Sequence, residues 1–304
     1  MVNKYLFNGG IDGWDSWGKI FQSIDAWETL VNFILEKENL PISKIENLHP
    51  GTNAVFKSGN YVVKIFAPKE SGLDGSIDYK TEKFALNFAQ SHGVAVSKLF
   101  VYGDVNDKYY FPYMILEYIE GTELYKVSGK FNESEKFEFG KRLREITDLM
   151  NKPCEDFNGI DVIFNKSRYN RWDEYSDKFR RERLEYLKNR DFGEKVFVHG
   201  DLCDDNIMID DKNNIYIIDF ADSVKAPVCY EHAHLICGLF NFDKSYLHGY
   251  FGEYKTDGLA DICFDGMLLH DFGGDMITWG NTAKIEEIDC LDDLREKVKE
   301  KIKL

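Results

Sequence analysis

The strongest constraint on this chain lies between two apolar runs. Residues 199–206 read HGDLCDDN, which sets three acids, an amide and an imidazole between VFV (196–198) and IMI (207–209). A third apolar run, IYII (215–218), follows the turn DDKNN (210–214) and ends in Asp219. Short apolar runs bounded by turn residues read as buried strands. Strand ends joined by polar turns bring Asn206 and Asp219 side by side at one mouth, with Asp201 just upstream. A polar cluster this dense beside buried strands is read as a site that binds metal and moves protons, not as a solvated turn.

The rest of the chain divides by texture. Trp14, Trp17, Phe21, Ile24, Trp27, Leu30, Val31 and Ile34 recur mostly three or four residues apart, which predicts one amphipathic helix closing near Pro41. Residues 46–66 read as strand, turn, strand, with Pro50-Gly51 and Ser58-Gly59-Asn60 as the breaks. A loop over 68–76, a helix over 77–91 and strands at 98–102 and 111–119 follow, and Glu120-Gly121 interrupts the pattern. Helices are expected at 132–150 and 168–190. The expected organisation is a helical extension (1–45), a sheet-containing lobe (46–116), a hinge (117–121) and a larger, mainly helical lobe (122–304): an α+β chain of two lobes.

Composition removes several classes. Hydrophobic residues at 43% and aromatics at 15% give enough apolar material for two cores and argue against disorder. A net charge of −15 argues against non-specific nucleic-acid binding and is compatible with a cationic small-molecule partner. The six cysteines, at 154, 203, 229, 237, 263 and 290, have no zinc spacing and suggest reduced thiols. The opening MVNKYLFNGG lacks a charged-then-apolar leader, and no apolar stretch approaches the roughly 20 residues of a membrane span. A cytoplasmic protein with no membrane partner is expected.

Five pieces stand in one order: Lys64 inside VVKIF, Glu82 on the following helix, LEYIEG (116–121), HGDLCDDN and IIDFAD (217–222). Phosphoryl transfer from a nucleotide requires a fixed cation, which a buried lysine held by a glutamate supplies. Magnesium takes oxygen ligands and few from the protein, a demand that Asn206 and Asp219 meet. The acceptor hydroxyl requires an oriented carboxylate. Asp201 precedes Asn206 with four residues between, the spacing of the protein-kinase catalytic loop with Gly200 in place of arginine. His199 is then structural, holding the loop.

HGDLCDDNIMID with IIDFADS resembles the signature of the aminoglycoside phosphotransferase family, kinase-like small-molecule kinases related to choline and homoserine kinases, and MILEYIEG resembles their hinge. The resemblance runs from about Leu48 to Asp222. It implies a protein-kinase-like fold with a small antiparallel-sheet lobe and one key helix, and nucleotide held between the lobes. It implies Asp201 as catalytic base, Asn206 and Asp219 as Mg2+ ligands, and Lys64 on the α- and β-phosphates with Glu82 as its partner. It places the backbone of Glu117 and Ile119 on the adenine edge, Leu116 behind the base, and Gly51, Thr52 and Asn53 over the phosphates. Asp222 and Glu231 are the expected substrate-side acids. The chain departs from kinases in having no G-x-G-x-x-G loop, Ala221 after Asp219-Phe220, and no activation segment, all of which favours a small acceptor.

The expected activity is transfer of the γ-phosphoryl group of ATP or GTP to a small-molecule hydroxyl, foremost an aminoglycoside, with antibiotic resistance as the corresponding role. Asp204, Asp205, Asp265, Asp271 and Asp275 add acids for a polyamine. Alternatives are another alcohol such as choline (with Trp279 and tyrosines as a cation–π site), homoserine or a sugar. Readings from other classes are a nucleotide-binding pseudokinase and a metal-dependent hydrolase using His232 and His234.

Overall fold

The computed structural model describes residues 5–49, 51–73, 75–164 and 170–303. The chain forms two compact units, one of Met1–Asn87 with Val96–Glu120, the other of Phe88–Ala95 with Gly121–Leu304. The passage at Glu120–Gly121 lies inside the 117–121 stretch.

The first unit opens with α1 (Trp14–Ile20) and α2 (Ile24–Lys37) where one helix is predicted. The hydrophobic period runs through the break, but the indole N–H of Trp27 donates to the Ile20 carbonyl at 2.9 Å. That satisfies a backbone acceptor which a continuous helix would have paired. The sheet follows: β1 (Ile45–Asn47), β2 (Ala54–Ser58), β3 (Tyr61–Ile65), then α3 (Gly75–Ser91), β4 (Leu99–Asn106) and β5 (Tyr110–Glu117). All pairings are antiparallel in the order β1-β2-β3-β5-β4. The β2–β3 turn needs Gly59, whose φ is +59°. Edge strand β1 adds a third strand to the predicted pair.

Alternation sorts the sheet's two faces. Phe56, Val63, Ile65, Phe111, Tyr113 and Ile115 pack with Trp17, Trp27, Leu30, Ile34 and Phe7 in one core. Phe7 and Phe111 lie 4.4 and 5.2 Å from Trp27, ring to ring. Phe7, Trp17, Trp27, Leu30 and Ile34, all from the expected helical extension, thus share the sheet's core.

The second unit contains β6 (Gly121–Glu123), α4 (Glu133–Met150), α5 (Asp177–Asn189), β7 (Lys195–Val198), β8 (Ile207–Asp210), β9 (Ile215–Ile217) and β10 (Val224–Pro227). Helices α6 (Cys229–Ala233), α7 (Lys244–Phe251), α8 (Thr256–Leu269), α9 (Gly273–Trp279) and α10 (Leu291–Lys303) complete it, with a π-helical turn at His234–Leu239. Asn132 and Glu135 form a capping box that starts α4 where the sequence predicts it. The helix predicted over 168–190 begins only at Asp177, because the Ser176 hydroxyl caps it by accepting from Phe179 N; residues 165–169 lie outside the described part. Strand β10 pairs antiparallel with β7, and β8 pairs with both β6 and β9. The end of α3 joins this unit through Phe88, stacked 4.7 Å from Phe197. Among the described residues no helix is long and apolar enough to cross a membrane, and all six cysteines are free.

Candidate active site

In the first unit, Lys64 sits on β3 opposite Met114 and Val55. Strand alternation turns it away from Val63 and Ile65, onto the face it shares with Met114 and Leu116. Its ammonium meets the Glu82 carboxylate of α3 at 2.6 Å, with the side chains 5% and 1% exposed. Taking both charges out of water is costly and is recovered only by close pairing. The sequence-predicted lysine and glutamate are therefore brought together.

The Gly51–Asn53 turn is anchored from two sides. The Trp17 indole N–H donates to the Thr52 carbonyl at 2.9 Å, and the buried Asn53 Oδ1 accepts from Ala67 N at 3.1 Å. Asn53 thus braces the turn from inside. At the end of β5, Leu116 and Ile119 are buried, Glu117 N donates to Lys98 O at 2.8 Å, and the Glu117 carbonyl accepts the Ser97 hydroxyl. The Glu117 N–H is thereby engaged, which leaves its carbonyl one lone pair for a ligand.

In the second unit, register builds the mouth. Ile207 pairs with Ile217, and one step beyond, Ile218 N donates to Asn206 O at 3.0 Å. Asn206 at the start of β8 is therefore adjacent to the end of β9, and Asp219 follows with φ +58°. An aspartate adopts the left-handed region more readily than most residues, and this turn sets where its carboxylate leaves the strand.

The loop before β8 is fixed residue by residue. His199 is fully buried; its Nε2 donates to Ile218 O (3.0 Å), and its Nδ1 accepts from Asp201 N (3.3 Å). Those partners define the neutral Nε2–H tautomer. Gly200 has φ +84°, and a Cβ there would lie 2.1 Å from the Asp222 carbonyl oxygen. The arginine of the kinase loop is thus excluded by backbone contact. Glu231 on α6, 1% exposed, accepts from His199 N (2.6 Å) and Gly200 N (3.4 Å) through Oε2. The expectation that Glu231 faces substrate is corrected: it is buried beneath the loop and holds its backbone. Burial pushes its carboxyl up to about 7 despite those two donors.

Asp201 stands in the middle. Asn206 Nδ2 donates to its carbonyl (2.8 Å) and to its Oδ2 (3.0 Å). Burial, then the nearby Asp222 and Asp219, raise the Asp201 carboxyl to about 8, against the opposing Asn206 hydrogen bond. Asp219 and Asp222 are therefore close enough to act on Asp201 electrostatically. Burial and Asp201 also hold the Cys203 thiol up at about 12, so it is no nucleophile near neutrality.

The two histidines of the hydrolase reading diverge. His232 packs against Tyr250 and Phe251, at 5.8 and 5.2 Å between ring centres, whereas His234 Nε2 lies 3.5 Å from Asp201 Oδ1. Among the described residues no three of His, Cys, Asp and Glu gather as a metal cage. A small, hard cation that keeps most of its waters or takes phosphate oxygens needs no such cage. Asn206 with Asp219 fits that demand, and the accumulated negative charge that lifts Asp201 is what a cation relieves.

Fold and loop together define a class, a protein-kinase-like small-molecule phosphotransferase. The sequence model of the phosphotransferase enzyme family matches residues 52–263, and the chain belongs to that family. Among solved structures it is similar to APH(2")-IIIa in complex with GDP and kanamycin (16% identity, 88% of this chain and 97% of that one, TM-score 0.56). It is similar to the choline kinase LicA from Streptococcus pneumoniae (18% identity, 90% and 97%, TM-score 0.55). It is also similar to ADP-bound aminoglycoside phosphotransferase APH(2'')-Ib (16% identity, 89% and 98%, TM-score 0.56). No curated protein matches the chain.

Proposed function

We propose that this phosphotransferase moves the γ-phosphoryl group of ATP or GTP to a hydroxyl of a small molecule, with Asp201 as catalytic base. The observation that carries the reading is the construction around Asp201: one oxygen held by Asn206, a backbone cradled by Glu231 and His199, and Asp219 presented from a left-handed turn at the neighbouring strand end. Lys64, fixed by Glu82, is the phosphate-binding cation in this reading. Gly51, Thr52 and Asn53 cover the phosphates, and Leu116, Glu117 and Ile119 receive the base. Nucleotides bound to similar folds support it.

Asn206 and Asp219 would hold Mg2+, which supplies charge neutralisation at the phosphates when bound. The chain's own residues do the rest. Asp201 accepts a hydrogen bond from the acceptor hydroxyl and takes its proton as the oxygen attacks the γ-phosphorus in line, while the bond to the β,γ-bridging oxygen breaks and ADP or GDP leaves. Lys64 offsets charge on the oxygens of the nucleotide.

The acceptor we propose is an aminoglycoside, supported by the kanamycin bound to a protein of similar fold. A choline-type alcohol is the second reading, favoured by the exposed indole of Trp279, whose ring centre lies 6.4 Å from that of His234. The test is thermal stability with Mg-ATP and Mg-GTP, then nucleotide turnover with kanamycin and choline. A ligand that binds only the folded chain raises the melting temperature by mass action. Asp201→Asn is expected to keep the nucleotide shift and lose turnover by roughly 10²–10⁴-fold. A nucleotide shift without turnover on either acceptor would keep the nucleotide-binding fold and leave the acceptor open.

A further inference from the structure

The Asp201 carboxyl group has two oxygens, and only Oδ2 is accounted for, by Asn206 Nδ2 at 3.0 Å. Oδ1 faces His234 Nε2 at 3.5 Å. His234 is 2% exposed, and its Nε2 is buried with no hydrogen bond among the described residues. Its other nitrogen, Nδ1, lies 3.4 Å from the Leu202 carbonyl; a neutral ring carries one N–H, so it donates either to that carbonyl or, as the Nε2–H tautomer, toward Asp201 Oδ1.

The ring is also packed on two sides. His270 stacks on one face at 5.2 Å and 16°, and Trp279 meets it edge-on at 6.4 Å. His234 is the first residue of the π-helical turn His234–Leu239 that continues α6. A π-turn inserts a residue into the helical register, re-aims the side chains beside it, and is frequent at functional sites. Burial lowers the imidazole to about 4, so the ring is neutral and costs little to bury there.

We propose that His234 is a positioning residue for the transfer reaction: as the Nε2–H tautomer it faces the ionised Asp201 carboxylate at Oδ1, restraining the oxygen that the Asn206 hydrogen bond does not hold. The inference rests on the phosphotransfer reading and adds to it a residue from a separate element, α6 and its π-turn. Orientation matters because a displacement of about 1 Å at a reacting group costs ~10²-fold in rate.

The test compares His234→Leu, which fills the space without a polar atom, with His234→Gln, whose amide reaches toward the same oxygen. With Mg-ATP and whichever of kanamycin and choline the wild type phosphorylates, His234→Leu is expected to lower kcat by about 10–100-fold. Both KM values should stay within a factor of about two, since no ligand contact is removed. His234→Gln should recover part of kcat. A second readout needs neither turnover nor a folded Leu variant: the His234 Nε2 nitrogen resonance of the full chain, which is expected to shift on Asp201→Asn. Wild-type kcat in His234→Leu, or an unmoved resonance, overturns the proposal. If neither acceptor is phosphorylated, those two acceptors leave the functional reading, and the resonance alone decides whether His234 and Asp201 are coupled.

Discussion

Glu231 makes the stability of this protein depend on pH in a direction opposite to that of an ordinary paired acid. Its carboxyl is raised from 4.5 to about 7 by burial, which outweighs the two backbone N–H donors. A raised acid binds its proton more tightly in the folded chain than in the unfolded one. The stabilisation is therefore fully present below pH 4.5 and is lost as pH rises through about 7. At about 1.4 kcal/mol per pH unit, the gap amounts to roughly 3 kcal/mol. Glu231→Gln removes the titration. Its amide oxygen still accepts from His199 N, while the amide N–H groups occupy the place of Oε1, which has no hydrogen-bond partner among the described residues. That unpaired donor costs about 1–3 kcal/mol at every pH. At pH 4.5 the protonated wild type leaves its own O–H donor unpaired in the same place, so the variant, with one further N–H, should be less stable by only about 1 kcal/mol. At pH 8.5 the deficit should shrink or invert, because only the wild type then buries a charge. Urea unfolding of both proteins at the two pH values, extrapolated to water, measures the difference. The Asp201 titration is present in both chains and cancels in the comparison. A difference that stays constant from pH 4.5 to 8.5 would refute the assignment of Glu231 as a buried, uncompensated carboxyl.

Two further predictions come from the rigid parts of the site. Gly200→Ala adds a Cβ 2.1 Å from the Asp222 oxygen at φ +84°, so the Asp222 backbone must retreat; turnover should fall ~10²-fold, and the melting temperature should fall with it through an added ~1–2 kcal/mol of backbone strain. Lys64→Met leaves Glu82 buried without its 2.6 Å partner, a loss of about 3–5 kcal/mol in urea unfolding; adding Glu82→Leu should restore stability but not Mg-nucleotide affinity, and restored affinity would remove Lys64 from the phosphate role.

How much of this was legible in the sequence depends on how local each cause is. The β8–β9 hairpin was legible because two short apolar runs flank a turn of the right length, and register then forces Asn206 beside the end of β9. Lys64 and Glu82 were legible as a pair only through their order with the later motifs and the resemblance, since a lone strand lysine more often snorkels to water; their 2.6 Å contact is set by packing of α3. The break between α1 and α2 was not, since apolar spacing continues through it and the deciding hydrogen bond comes from the Trp27 indole. Strand β10, VKAP in sequence, lacks an apolar run and exists by pairing with β7. Glu231 was assigned to substrate because an acid near a site reads as a ligand. That its carboxylate turns inward follows from burial, which spacing does not encode. His234 was visible only as half of a metal pair, because its aim depends on a π-turn.

The same distinction between local pattern and distant partner bears on the acceptor. Several acids that seemed available to a polyamine have partners far along the chain: Asp265 takes Arg190 at 2.9 Å and the Tyr186 hydroxyl at 2.6 Å, and Asp275 pairs with Arg171. Asp243 pairs with Lys136 at 2.5 Å, and Glu231 lies beneath the loop. A carboxylate already neutralised inside the fold attracts a second cation weakly, so the net charge of −15 overstates the field an acceptor meets. Trp279, by contrast, is 53% exposed and lies beside His234, which touches Asp201. An exposed indole binds a quaternary ammonium through its face, worth about 0.5–2 kcal/mol. Trp279→Leu should then raise KM for choline by about 3–30-fold at unchanged kcat, with little dependence on salt. Recognition of kanamycin by carboxylates would instead leave KM indifferent to Trp279 and raise it steeply with ionic strength. If choline is phosphorylated and its KM does not move in Trp279→Leu, the indole is no part of the acceptor site.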